Sequence, residues 1–182
     1  MFEKVSLDTF RDFMIDHGGA EMSDEQIEAI YNNIKLPKRS TEFSAGYDFF
    51  SPIGGFTLPA GGCMIIPTGV KCNLGGVTSD MGKFLALYPR SSYGFKYGMR
   101  LMNTVGIIDS DYYDNQSNEG HIIVAVTTMN PIEFKVGDRF CQGIVQPYYK
   151  LTGEDASTVV RVGGMGSTDE LLKEEVTTDA SN

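Results

Sequence analysis

The stretch Gly98-Met-Arg-Leu-Met-Asn-Thr-Val-Gly-Ile-Ile-Asp-Ser-Asp-Tyr112 has two apolar-rich arms, 99–102 and 105–108, joined through Asn103-Thr104. An Asn turn between β-forming runs predicts a β-hairpin. Asp109, Asp111 and Tyr112 follow the second arm directly. A carboxylate at the end of a strand is held still against a small target, and an aromatic ring three residues on can cover a flat or ring-shaped ligand. The mouth of such a turn also presents backbone N–H and C=O groups that can read a heterocycle by its edge. Taken alone, the same residues describe an ordinary hairpin and a polar loop, so the reading depends on their company.

Outward from the hairpin the chain is β-patterned. Short apolar runs at 64–67, 70–74, 84–88, 122–128 and 144–148 are separated by Gly, Pro, Asn and Asp turns, which predicts a sandwich or barrel. No internal repeat or low-complexity linker divides the 182 residues, a length that buries a full core as one domain. Residues 1–36 differ. Met1 to Val5 suits a short edge strand, and Leu7, Phe10, Phe13 and Met14 recur at helical spacing before Gly18-Gly19. Ser23 and Gln26 predict a capping box, Asp24 and Glu25 suit the first turn, and Met22 with Ile27 fits a hydrophobic staple. Ile27, Ile30, Tyr31 and Ile34 line one face, and Pro37 ends the helix. This helical hairpin is expected to pack on the β-structure or on a neighbouring subunit; a docking surface for another protein is the alternative.

Composition narrows the function. The formal charge of −9 opposes a duplex-DNA binder, which needs a basic face. The three cysteines, Cys63, Cys72 and Cys141, have no CxxC spacing and read as reduced cytosolic thiols. His17 and His121 are the only histidines, which excludes a His-rich metal site but leaves room for a carboxylate–phosphate magnesium site. No apolar run is long enough for a bilayer, and the start lacks a signal-peptide pattern, so a cytoplasmic location is expected.

Four further motifs flank the hairpin: Ala45-Gly-Tyr-Asp-Phe-Phe50, Pro89-Arg-Ser-Ser-Tyr-Gly94, Gly137-Asp-Arg-Phe-Cys-Gln-Gly-Ile144 and Arg161-Val-Gly-Gly-Met-Gly-Ser-Thr168. Arg90 with the Ser91 and Ser92 hydroxyls at a strand end suits an oxyanion chain. Backbone N–H groups between the later glycines suit an anion nest. Five motifs in this order and spacing, from about Lys35 to Thr168, resemble the trimeric dUTPase family.

That resemblance implies a mostly β, distorted jelly-roll barrel at 37–150, carrying the short N-terminal helical hairpin at 1–36 and a flexible C-terminal arm at 151–182. It implies a homotrimer with active sites at subunit interfaces, splitting dUTP to dUMP and pyrophosphate with Mg2+, which limits uracil in DNA and supplies dUMP. Asp109 would be the catalytic base, activating a water that attacks the α-phosphorus in line. Asp48 would be an outer-shell partner of Mg2+ through water. Ser91 would contact the oxygen bridging the α and β phosphates, with Arg90, Ser92 and Gln142 beside it on the phosphates. Asn103 and the backbone at Gly106 would read the uracil edge, Ile108 would line the substrate site, and Tyr112 would pack on the deoxyribose, leaving no room for a 2′-hydroxyl. Arg161, Ser167 and Thr168 would contact the terminal phosphates, with Gly164 and Gly166 shaping the arm.

Three departures stand out. Residues 113–119 intervene before Gly120, where the family commonly reaches Gly almost at once; Asp114 and Glu119 in that polar loop are poor catalytic candidates. The Arg161 motif is one residue shorter than the commonest form. Met165 replaces the phenylalanine that stacks on uracil, so either its thioether covers the base or Phe95 supplies the ring. Two rival functions remain. A dCTP deaminase, alone or bifunctional, needs a Glu where Ala125 stands; a regulatory protein would use the scaffold to bind a protein partner.

Overall fold

A computed structural model describes residues 1–19, 22–76, 81–151 and 161. In chain order the elements are β1 (Phe2–Lys4), α1 (Leu7–Met14) continued by a π-helical turn (Ile15–Gly19), α2 (Asp24–Asn32), β2 (Lys38–Arg39), β3 (Tyr47–Phe50), β4 (Phe56–Leu58), β5 (Cys63–Pro67) and β6 (Val70–Cys72). Then follow β7 (Met81–Pro89), α3 (Ser91–Tyr97), β8 (Arg100–Leu101), β9 (Gly106–Ile108), a 3-10 turn (Ser110–Tyr112), β10 (Ile123–Thr127), β11 (Ile132–Phe134) and β12 (Arg139–Tyr149).

The strands form four open sheets among the described residues, with orders β1-β6, β5-β10-β8, β11-β4 and β2-β3-β12-β7-β9, so no single ladder closes into a barrel. β12 is the spine of the largest: it pairs antiparallel with β7 over nine residues, from Cys141↔Pro89 to Tyr149↔Met81, and with β3 on its other side. Period-two patterning builds the core. In β10, Val124 and Val126 are buried while their neighbours are half-exposed. A β-bulge between Arg139 and Cys141 shifts the register against β3. The extra residue, Phe140, is fully buried, and the shift sets Gln142 opposite Asp48. Without it Cys141 would stand there.

The hairpin expected at 99–108 is corrected. β8 pairs with β10 and β9 pairs with β7, so the two arms belong to different sheets. The turn between them is tight, with Thr104 N–H donating to Leu101 O at 3.1 Å and Val105 N–H to Asn103 O at 2.8 Å. Thr104 sits at φ 63, where a β-branched residue is rare. The arms are apolar because each has its own buried sheet to join.

The N-terminal helices pack on the β-structure of their own chain. Ser6 caps α1 through Thr9 N–H, and both halves of the Ser23/Gln26 capping box are made. Val5, Phe10, Met14, Ile27 and Ile34 share one core cluster with Ile66, Val70 and Ile122. The approach is closest at Gly69, where a Cβ would lie 2.3 Å from Ile34 Cδ1. His121 is buried at the same junction, its Nε2 accepting from Gly69 N–H at 2.9 Å, with the edge-on ring of Phe13 at 5.3 Å. Burial holds its pKa down at about 4, against a smaller upward pull from Glu119.

Candidate active site

Two pockets carry the motif residues. The first opens at the turn of the opening stretch. β9 delivers Gly106, Ile107 and Ile108; Asp109 ends it, and the 3-10 turn brings Tyr112 round to the same side. Asn103, Gly106, Ile108, Asp109, Tyr112 and Arg161 line one pocket with the β10 residues Ile123 and Val124. Its volume of about 80 Å³ is well below the roughly 300–1,000 Å³ of sites that enclose a whole small molecule. It has room for a fragment, not for a whole small molecule.

Asp109 is half-exposed, and burial raises its carboxyl above the ordinary carboxylate value, with Arg161 pulling it back and Asp111 pushing it further up. A raised carboxyl is the better proton acceptor. Arg161 reaches Asp109 Oδ2 at 3.1 Å and Asp111 Oδ1 at 3.2 Å, its guanidinium 5.6 Å from the centre of the Tyr112 ring. Tyr112 is buried; its hydroxyl donates to His121 O at 3.0 Å and accepts from Asn118 Nδ2 at 2.9 Å.

The second pocket, about 360 Å³, is lined by Ser40, Ser44, Gly46, Asp48, Arg90, Ser91, Ser92 and Gln142. Asp48 lies between two guanidinium groups: Arg90 Nε is 3.1 Å from Oδ1 and Arg139 Nη1 is 3.2 Å from Oδ2. Ser40 donates to the same Oδ2 at 2.6 Å and receives Arg139 at 2.9 Å. Gly46 lies close under Gln142: a Cβ there would fall 2.3 Å from Gln142 Oε1, so the amide would have to swing aside. Sequence reasoning missed Ser40 and Ser44, which carry no signal beyond a polar loop.

Among the described residues no three His, Cys, Asp or Glu side chains come together to hold a metal. A lone buried carboxylate beside an Arg–Ser cleft would fit only an ion, such as Mg2+, that keeps its waters and takes phosphate oxygens. Asp48, with both oxygens engaged, would reach it through water.

Within one chain the two pockets do not meet. β9 runs antiparallel to β7 with Ile108 opposite Leu85, and Ser110 Oγ donates to Lys83 O at 2.6 Å. Asp109 therefore sits near the start of β7, whereas Arg90, Ser91 and Ser92 follow its end. At about 3.3 Å per residue along a strand, the gap is roughly 20 Å. Phe95 is on α3 with Ser91 and Ser92, 94% exposed, and lines neither pocket. Gly164, Met165, Gly166, Ser167 and Thr168 lie outside the described residues.

A small pocket at the turn mouth and a separate Arg–Ser cleft thus stand apart in one chain. The dUTPase family matches residues 32–169. The deoxyuridine 5′-triphosphate nucleotidohydrolase of Lactococcus lactis is 39% identical over 138 residues, covering 74% of this chain and 88% of that protein. That of Hahella chejuensis is 34% identical over 144 residues, covering 75% and 88%. The crystal structure of a dUTPase from Streptococcus mutans superposes with a TM-score of 0.56 at 38% identity, covering 65% of this chain and 89% of that one. The chain belongs to the dUTPase family. With such neighbours the fold is the expected jelly roll, its strands split among open sheets.

Proposed function

We propose that this protein hydrolyses dUTP to dUMP and pyrophosphate. The observation that carries the reading is the convergence of Asn103, Gly106, Asp109 and Tyr112 on one fragment-sized pocket. Asn103 and the β9 backbone read the uracil edge, and Tyr112 stands against the sugar. Asp109 takes the proton of a water attacking the α-phosphorus, and Ser91 with Arg90 steadies the leaving pyrophosphate. Mg2+, when bound, draws charge from the phosphate oxygens as a Lewis acid. Arg161, which pairs with Asp109, exchanges that carboxylate for the terminal phosphates.

The roughly 20 Å between Asp109 and Ser91 in one chain supports a site shared between copies, with Asp109 and the turn from one subunit and the Arg–Ser cleft from another, in a homotrimer. Met165 or Phe95 then covers the base. Ala125 offers no carboxylate on β10 for deamination.

Incubation with Mg2+ and dUTP or dCTP, with products resolved by chromatography, tests the reading. dUMP and pyrophosphate from dUTP alone are expected. Asp109→Asn should bind dUTP and lose about 10²–10⁴-fold in turnover, the usual worth of a general base. dUMP or dUTP formed from dCTP, or normal turnover by the variant, would overturn it.

A further inference from the structure

The loop at 113–120 and the N-terminal helices are joined through one side chain. Glu119 accepts from Ser6 N–H at 3.0 Å, from the Ser6 hydroxyl, from Thr9 Oγ1 at 2.7 Å and from Lys71 Nζ at 3.3 Å. It therefore caps α1 from outside the helix. Lys71 also pairs with Asp114, and Tyr113 donates to Glu3 at 3.1 Å. Glu119 does this from φ 56, a left-handed backbone that glycine or asparagine fills more readily. A glutamate at such a position is explained by its side chain.

The loop is in turn wired to Tyr112. Glu119 N–H donates to Asn115 O at 3.0 Å, and Asp114 N–H to Glu119 O at 3.1 Å. Asn115 Nδ2 donates to Tyr112 O at 2.9 Å and to Asn118 Oδ1 at 2.8 Å. Asn118 Nδ2 donates to the Tyr112 hydroxyl at 2.9 Å. Hydrogen bonds thus run without a break from the first turn of α1 to the ring placed against the sugar.

Resting on the dUTPase reading, we infer that Glu119 is a positioning residue: by capping α1 it fixes the 113–120 loop and, through Asn115 and Asn118, the Tyr112 ring that separates deoxyribose from ribose. The N-terminal helices then contribute to sugar selection without touching substrate. A ring held by a rigid loop excludes a 2′-hydroxyl; a loose one gives way, and substrate positioning suffers with it.

The test is steady-state kinetics of Glu119→Ala with dUTP and UTP beside wild type. The KM for dUTP should rise about tenfold with kcat within about twofold, and the preference for dUTP over UTP should narrow by about tenfold, since remote misplacement costs up to about 10²-fold. Glu119→Gln, which keeps an acceptor for Ser6 and Thr9 but no charge for Lys71, should fall between. The double variant Ser6→Ala/Thr9→Val, on the other side of the contact, should reproduce the shift, and it decides the matter by the same readouts if Glu119→Ala does not fold. A folded variant with wild-type KM and preference, or one that loses kcat alone, overturns the assignment. Absence of dUTP turnover by wild type overturns the dUTPase reading and this one with it.

Discussion

At the scale of single residues, Gly120 and His121 each impose a measurable constraint. Gly120 sits at φ 80, and a Cβ there would lie 2.5 Å from Tyr112 O and 3.0 Å from Tyr113 Cα, both backbone atoms that cannot swing aside. Gly120→Ala should therefore cost at least about 2 kcal/mol and, on the proposed function, raise the KM for dUTP, because the clash falls on Tyr112; thermal unfolding and kinetics check both. His121 is neutral where it is buried, and its pKa is pushed from 6.5 to about 4 by loss of solvent. The unfolded chain then binds the extra proton between those values, so stability should be fully present above about pH 6.5 and decline as pH falls toward 4, then level off. At about 1.4 kcal/mol per unit the loss is on the order of 3 kcal/mol. His121→Gln, which can still accept from Gly69 N–H, should flatten that slope in a pH series of denaturant unfolding. An unchanged slope would place the titration elsewhere.

At the scale of elements, the N-terminal addition is part of the core. Within residues 1–33, Val5, Phe10, Met14 and Ile27 are all buried, and each buried apolar side chain of this size contributes about 1.5–3 kcal/mol. Their sum rivals the roughly 5–15 kcal/mol by which domains are stable. Deleting residues 1–33 should thus leave an aggregating or molten chain, although the family match begins only at residue 32; a soluble product with an unchanged melting temperature would show that the packing contributes little. This element was legible in the sequence because its signals are local: the Ser23/Gln26 capping box lies within one turn. The 99–108 stretch misled because strand pairing is not local. Its apolar arms and Asn turn predict a hairpin, yet β8 and β9 find their partners in β10 and β7. The bulge at Phe140 and the reach of Glu119 to α1 were hidden for the same reason: each depends on a register or a contact set by residues far along the chain. The site motifs themselves were readable, since their residue types announce their chemistry, but their division into two pockets was not.

At the scale of the whole molecule, that division makes a firm demand. Asp109 and Ser91 lie near opposite ends of β7, roughly 20 Å apart at strand rise, while a water attacking phosphorus and the oxygen that leaves it are within one phosphate group of each other. No side-chain rotation closes such a gap, and the antiparallel register that creates it is fixed by the β7–β12 and β7–β9 ladders. On the proposed function, a symmetric assembly would close it by setting the turn pocket of one copy against the Arg–Ser cleft of the next. The consequence is measurable by complementation. Asp109→Asn chains and Ser91→Ala chains, each nearly inactive alone, should regain activity when unfolded and refolded together. In a randomly mixed 1:1 trimer, a site that draws Asp109 from one copy and Ser91 from another is intact with a probability of about one quarter. Recovery near that fraction of wild-type kcat, with no recovery on mixing the already folded variants, is the expected result. If both residues served the same site from one chain, every subunit in the mixture would carry a defect at its own site, and refolding together would restore nothing.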